Sequence, residues 1–396
     1  AKTYEIDIAS LLPSPGAGCR YGKIYDSQTI GPYTYKTEIT EIKLNSSYYD
    51  ATANKAKIEK GKLILPIQNV NTTTTGKIGT IKLDVISQNY HQIKDWTIDV
   101  SAANQPVSSS GGGSGKTDRP GTVKTDKNGQ TTAETTLSSK AIETAKKSGE
   151  AVKAPVEVEA SRDSNTAPTV KIELPRNSGE TKVEIPVTNV KPGTVAVLAH
   201  PDGTEEIVKN SLPTADGIQL TVNGGATVKI VDNSKDFIDT RNHWAKDAID
   251  FVSARGLVNG MSATIYAPNA STTRAQLWTI LARQNNADLT GGATWYEKGM
   301  NWAKANGVSD GTNPEVNITR EQLVTMLYRY AGSPKANGSL DSFSDAASVS
   351  SYAVNAMQWA VANGIVNGSN GKLNPKNNAT RAEVAAILMR FCEMSK

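Results

Sequence analysis

The chain has 396 residues, enough for two to four domains with separate cores, and its 43 basic and 39 acidic side chains leave a net charge of only +4. Because the basic residues are scattered, a dedicated nucleic-acid binder with its basic stripe is excluded, and no apolar run approaches the roughly 18 residues of a membrane-spanning helix. Cys19, Cys392, His91, His200 and His243 stand apart with no metal-ligand spacing, so neither a metal nor another cofactor is expected, nor a disulfide, which would need the two ends to meet.

The chain begins at Ala1 rather than Met, which fits signal-peptide removal and equally a trimmed chain. Residues 1–105 read as all-β. Apolar and polar side chains alternate over 3–8, 38–44, 62–67, 77–86 and 96–100, the period of half-buried strands, and Gly, Pro and Asn turns between them predict a sandwich-like, Ig-like domain. The tract Asn71-Thr72-Thr73-Thr74-Thr75-Gly76 reads as a solvated loop or as a glycosylated run. Tyr4, Tyr21, Tyr25, Tyr33, Tyr35, Tyr48, Tyr49 and Tyr90 either pack the strands or line a sugar-binding face.

Residues 106–120 hold Ser108-Ser109-Ser110-Gly111-Gly112-Gly113-Ser114-Gly115, a composition that behaves as a flexible coil. Residues 121–232 predict an α+β spacer domain. A hairpin turns at Asn128-Gly129. A helix over 138–148 has Ser138 or Ser139 as its cap, Ile142 and Ala145 inward and Gly149 at its end. Strands follow over 156–158, 169–174, 182–186, 194–199, 206–209, 218–222 and 226–231.

From 233 to 396 one pattern is written three times. Helix-length segments end in Gly256-Leu257-Val258-Asn259-Gly260, Gly307-Val308-Ser309-Asp310-Gly311 and Gly364-Ile365-Val366-Asn367-Gly368. Five residues after Pro268, Pro314 and Pro375 come Thr273-Arg274-Ala275-Gln276, Thr319-Arg320-Glu321-Gln322 and Thr380-Arg381-Ala382-Glu383, and Arg283, Arg329 and Arg390 close the helices so opened. Fixed internal spacings make this a repeat module. Thr-x-x-Gln/Glu before an apolar run is a capping box, and Gly followed by an apolar residue is a Schellman end. An Arg at the first helical position opposes the helix dipole. It predicts either an anion site, built with free helix amides, or a partner acid on a neighbouring copy.

The block resembles three S-layer homology repeats, about 237–285, 293–331 and 343–392. The likeness rests on Phe237-Ile238-Asp239 and Phe343-Ser344-Asp345, on Trp244, Trp295 or Tyr352 twelve residues before the first glycine, and on the Thr-Arg motifs. It implies an all-α pseudo-threefold bundle whose grooves bind an anionic secondary cell-wall polysaccharide, often ending in a pyruvylated amino sugar. The residues carried over by resemblance are Arg274, Arg320, Arg381, Trp244, Trp295, Asp239, Asp345, Gly260, Gly311 and Gly368. The second copy lacks the aromatic-x-Asp opening, and only two residues separate Gly311 from Pro314, against seven and six in the others. Arg320, placed beside that shortened loop, is expected to contribute least to binding. The module at 121–232 is similar to one that precedes such repeats in some clostridial surface proteins.

No nucleophile with its base, phosphate loop or catalytic carboxylate pair is recognisable. The glycines at Gly111 and Gly224 lack a strand-loop-helix setting, and Glu157 and Glu159 alternate on a strand as a solvated face. The expectation is a non-enzymatic, secreted surface protein of a Gram-positive-type bacterium, anchored non-covalently at the cell wall or S-layer. The alternatives are an adhesin whose N-terminal domain binds a host or bacterial glycan or protein, and a glycoside hydrolase. Limited trypsin digestion should cut at Lys116 or Arg119 before anywhere else, since exposed Ser/Gly coil is the preferred nicking site. Earlier cleavage inside a domain, seen on a gel, contradicts the tether.

Overall fold

The structure, a computed structural model, describes residues 2–12, 24–30, 33–52, 55–68, 76–86, 92–102 and 119–394. The Thr72–Thr75 tract, the Ser/Gly tract, Cys19, Tyr21, Tyr90 and His91 lie outside the described residues.

The N-terminal part holds β1 (Lys2–Asp7), β2 (Ser27–Ile30), β3 (Tyr33–Leu44), β4 (Lys57–Glu59), β5 (Lys62–Ile67), β6 (Gly76–Ile86) and β7 (Gln92–Ala102). They form antiparallel sheets in the orders β1-β5-β4 and β2-β3-β6-β7. The five strands expected from alternation are present. At four and three residues, β2 and β4 are too short to show a period. One apolar cluster takes Leu63, Leu65 and Ile67 from the first sheet and Ile81, Leu83 and Val85 from the second, each worth about 1.5–3 kcal/mol when fully buried. Tyr35 and Tyr49 are buried, and the Tyr49 hydroxyl accepts from Ala56 N at 2.7 Å. These two therefore pack the strands rather than line an exposed face.

The middle part runs β8 (Arg119–Thr125), β9 (Thr131–Thr136), α1 (Ser139–Ser148), β10 (Val152–Lys153), β11 (Val158–Glu159), β12 (Thr169–Glu173), β13 (Glu180–Thr188), β14 (Thr194–Ala199), β15 (Glu205–Val208), β16 (Leu212–Pro213), β17 (Gly217–Asn223) and β18 (Ala226–Asp232). One sheet is ordered β15-β14-β18-β12-β9-β8, the other β10-β13-β17-β16 with β11 also on β13. Ser138 caps α1 by accepting from Ala141 N, and Gly149 ends it at φ 76°. Arg119, read from the sequence as linker, pairs with Thr136 in β8. That leaves Lys116 as the tryptic site of the tract.

The C-terminal region is helical: α2 (Lys246–Ala254) and α3 (Arg274–Gln284) in the first copy, α4 (Glu297–Ala305) and α5 (Arg320–Tyr330) in the second, α6 (Val354–Ala362) and α7 (Arg381–Glu393) in the third. Each first helix ends as its glycine dictates. Gly256, Gly307 and Gly364 take φ of 65–67°, and the next amides, of Leu257, Val308 and Ile365, return to Val252, Ala303 and Ala360. Each second helix opens with a complete capping box. The helices pair between copies: α3 packs on α4, α5 on α6, and α7 returns to α2. One core, with Trp278, Leu327 and Phe391 inside it, serves all three copies.

The middle part is joined to the first copy by more than the chain. Arg255 is 1% exposed, stacked on the Phe251 ring at 3.7 Å, and donates to Pro192 O, Thr194 O, Ser211 O and its own helix at Phe251 O. Asn306 and Asn363 occupy the same position in the other copies and only turn back to Trp302 O and Trp359 O. Asn233 Nδ2 to Ala254 O and Lys209 Nζ to Arg283 O complete the contact. Arg255→Asn should keep the helix end but leave three carbonyls without their donor, at about 3–5 kcal/mol in all. Calorimetry should then resolve separate transitions for the middle part and the repeats, where the unaltered chain should melt them together.

Candidate functional site

The copies meet where each second helix begins. Three backbone bonds close a ring there: Thr272 N to Ala379 O, Ala379 N to Ile318 O and Ile318 N to Thr272 O, at 2.9–3.0 Å. Beside it, Arg274 N and Ala275 N donate to Val316 O and Pro314 O of the second copy. Arg320 N and Glu321 N donate to Asn377 O and Pro375 O of the third, and Arg381 N and Ala382 N to Ala270 O and Pro268 O of the first. The third amide of each helix is taken by its Thr cap. The free helix amides expected for an anion are therefore already bonded, because the loop after each Pro runs along the neighbouring helix start.

The three Arg side chains follow the same route. Arg274 donates to Thr312 O at 2.8 Å, Ser309 Oγ at 3.1 Å and Asp310 Oδ1 at 2.9 Å. Arg320 donates to Leu373 O at 2.9 Å and pairs with Glu383. Arg381, 7% exposed, donates to Tyr266 O at 2.9 Å and Asn259 O at 2.6 Å, with its guanidinium 4.5 Å from the Tyr266 ring centre. A neighbouring acid is thus present for two of the three, and carbonyls serve the third. Burial pulls the pKa of Arg320 and Arg381 down. The placement of Arg320 by the shortened loop is corrected: each Arg reaches the following copy, so Arg274 meets that loop and Arg320 the longer loop of the third.

Asp239 and Asp345 brace those loops. Asp239 accepts from Tyr266 N at 3.0 Å and Ala267 N at 2.7 Å, and Asp345 from Leu373 N and Asn374 N, both at 2.8 Å. Burial works against both charges, but the paired amides outweigh it and hold each carboxyl below its usual pKa. Gly260 and Gly368 lie under the opening aromatics: a Cβ would come within 2.4 Å of Phe237 and 2.6 Å of Phe343. In the second copy, without that aromatic, Gly311 lies at φ 74° against Lys304. The glycines therefore fill steric positions.

Each copy also exposes one aromatic side chain ahead of its first helix. Trp244, Trp295 and Tyr352 are 65%, 60% and 52% exposed, and each sits two residues before α2, α4 or α6 rather than within it. Beside Trp244, His243 Nε2 lies 3.3 Å from Asn269 Oδ1. Three participants, Glu321, Ser350 and Lys376, were given no role from the sequence. Glu321, in line with Ala275 and Ala382, is buried with its carboxylate bonded to Ser350, Tyr352 and Lys376 of the third copy. Ser350 has Ala293 and Asn242 as its counterparts, and Lys376 has Glu315 and Asn269. The signal was the mismatch at aligned repeat positions.

Residues 236–277 and 342–385 match the S-layer homology domain model, so the C-terminal region carries S-layer homology repeats. The central copy, with its shortened loop and no aromatic-x-Asp opening, lies outside both matched spans. Similar proteins include an amylopullulanase of Thermoanaerobacterium thermosulfurigenes, 36% identical over 183 residues, which are 41% of this chain and 10% of that one. Exoglucanase XynX of Acetivibrio thermocellus is 31% identical over 205 residues, 47% and 19% of the two chains. The surface-layer 125 kDa protein of Lysinibacillus sphaericus is 28% identical over 167 residues, 38% and 14%. The shared stretch is a small part of each relative.

Since both Asp pKa values are lowered in the folded chain, their contribution is intact above the ordinary carboxylate pKa, about 4, and lost as pH falls through the folded values. Thermal melts of the unaltered chain should drop on acidification below about pH 4. Asp239→Asn and Asp345→Asn should start lower at neutral pH and fall less. Parallel acid limbs in all three proteins would remove these carboxylates from the account.

Proposed function

We propose that the S-layer homology repeats of this chain hold it non-covalently at the bacterial cell wall by binding an anionic secondary cell-wall polysaccharide, pyruvylated in its terminal sugar. S-layer homology repeats mark secreted proteins attached at the cell surface. The finer reading takes the repeats as a pseudo-threefold bundle, supported by the cyclic bonds among Thr272, Ile318 and Ala379, and the N-terminal sheets as a sandwich, supported by their common core. The observation that carries the binding reading is the solvent-facing placement of Trp244 and Trp295 at equivalent places in the first and second copies. An exposed indole is a stacking surface for a sugar ring, with a polar edge. The three Arg residues close the ring first, and any contact they make with an anionic sugar comes from the same position. The catalytic names of the relatives belong to those proteins, and we read this chain as non-enzymatic.

The full chain should sediment with purified cell walls and stay in solution once the secondary polymer has been chemically removed from them. Trp244→Ala should weaken binding about 2–10-fold, the worth of one aromatic contact, and leave the melting temperature unchanged because the ring packs on little. Equal binding to stripped and intact walls would refute the reading.

A further inference from the structure

The cleft between the second and third copies differs from the other two in what fills it. Where they carry the methyls of Ala275 and Ala382, it carries Glu321, only 2% exposed. Four donors converge on that carboxylate, all from the third copy: Ser350 N at 2.9 Å, Ser350 Oγ at 2.8 Å, Tyr352 Oη at 3.1 Å and Lys376 Nζ at 2.7 Å. A backbone amide, two hydroxyls and an ammonium around one carboxylate make a complete set of charge-assisted bonds. The donors are not repeated in the other clefts, where Ala293 and Glu315, or Asn242 and Asn269, stand in place of Ser350 and Lys376. Tyr352 also replaces the Trp of the other copies, and its hydroxyl is the group a Trp would lack.

We propose that this cleft is a carboxylate receptor which the chain fills with its own Glu321, and that the receptor is thereby closed to an external carboxylate-bearing ligand. The electrostatics agree with the geometry. Burial disfavours the Glu321 charge, but Lys376 and Ser350 overcome it and lower its pKa. Burial and that nearby charge together push the Tyr352 hydroxyl up to about 12, so it stays a donor at neutral pH. Removing the Glu321 side chain to its Cβ would leave a Glu-sized space lined by an ammonium, an amide and two hydroxyls. A small carboxylate has the charge and shape to enter it.

The test is chemical rescue of full-length Glu321→Ala in thermal melts at constant ionic strength. The variant should melt below the unaltered chain in chloride, and acetate should raise it by about 2–4 °C in a concentration-dependent way. Acetate should move neither the unaltered chain nor Glu321→Gln, whose side chain still fills the space, and neutral acetamide should move none of them. An acetate shift of equal size in all three proteins, or none in Glu321→Ala, overturns the receptor. If Glu321→Ala does not fold, a double-mutant cycle decides. Lys376→Met and Tyr352→Phe should each lower the melting temperature with Glu321 present and do so much less in the Glu321→Gln background, and additive effects overturn the proposal. Closure to the wall ligand rests on the proposed wall binding and is read separately. Calorimetric titration with a pyruvate-ketal N-acetylhexosamine should give Glu321→Ala one more site than the unaltered chain. Equal, non-zero stoichiometry overturns the closure. Binding to neither protein overturns the wall-sugar reading, while acetate rescue still establishes the receptor.

Discussion

A helix begins with amide groups that its own turns cannot satisfy, and in this protein the next copy of the repeat supplies what the helix lacks. At each of α3, α5 and α7 the first two amides go to the following copy's proline carbonyl and to the carbonyl two residues beyond it, and the third to the threonine cap. Leaving such groups buried and unbonded costs about 1–3 kcal/mol each. No copy is complete alone, and because the third copy is completed by the first, three form a closed set. The Arg that follows each Thr belongs to the same device. Its unfavourable position against the helix dipole is offset by carbonyls and acids that the neighbour brings to it.

Local rules were legible in the sequence, and inter-copy rules were not. Capping boxes and Schellman ends involve residues three to six apart, so Thr273, Thr319, Thr380, Gly256, Gly307 and Gly364 placed the helix boundaries from spacing alone. The strands of the first two parts were found wherever alternation ran for five residues or more, and lost where β2, β4, β10 and β16 were shorter. The partner of each Arg was not legible, because it is set by the direction in which the ring advances. A repeat written in a line does not say whether a copy leans on the one before or the one after. The same ambiguity misplaced Arg320 beside the short loop. The steric reason for Gly260 and Gly368 was not legible for a related reason, since the ring that excludes a Cβ lies over twenty residues away in the chain.

Departures from the repeat carry information that its regular positions lack. Arg255 stands where the other copies have Asn, and it is the residue that leaves its own helix for the middle part. Glu321 stands where the others have Ala, and it sends a carboxylate across to Ser350, Tyr352 and Lys376 of the third copy. In both cases a buried ionic group replaces a small or self-satisfied one, a choice that general stability does not favour. Three copies aligned against each other thus serve as an internal control, each stating what the fold requires and leaving the exceptions to be explained by contacts outside it.

The Arg255 contact also bears on how load would travel. A surface protein held by one end is pulled from the other, and tension from the N-terminal part must pass through the middle strands into the first copy. With only residues 233–236 between β18 and Phe237, a simple joint there would be the first place to give. Instead Pro192, Thr194 and Ser211 grip a guanidinium rooted at the end of α2, and Lys209 reaches the end of α3. The pull is therefore shared across both helices of the first copy, and through α7 and α4 with the remaining two. Tension on the middle part would therefore be met by the whole ring at once instead of unzipping the copies one after another.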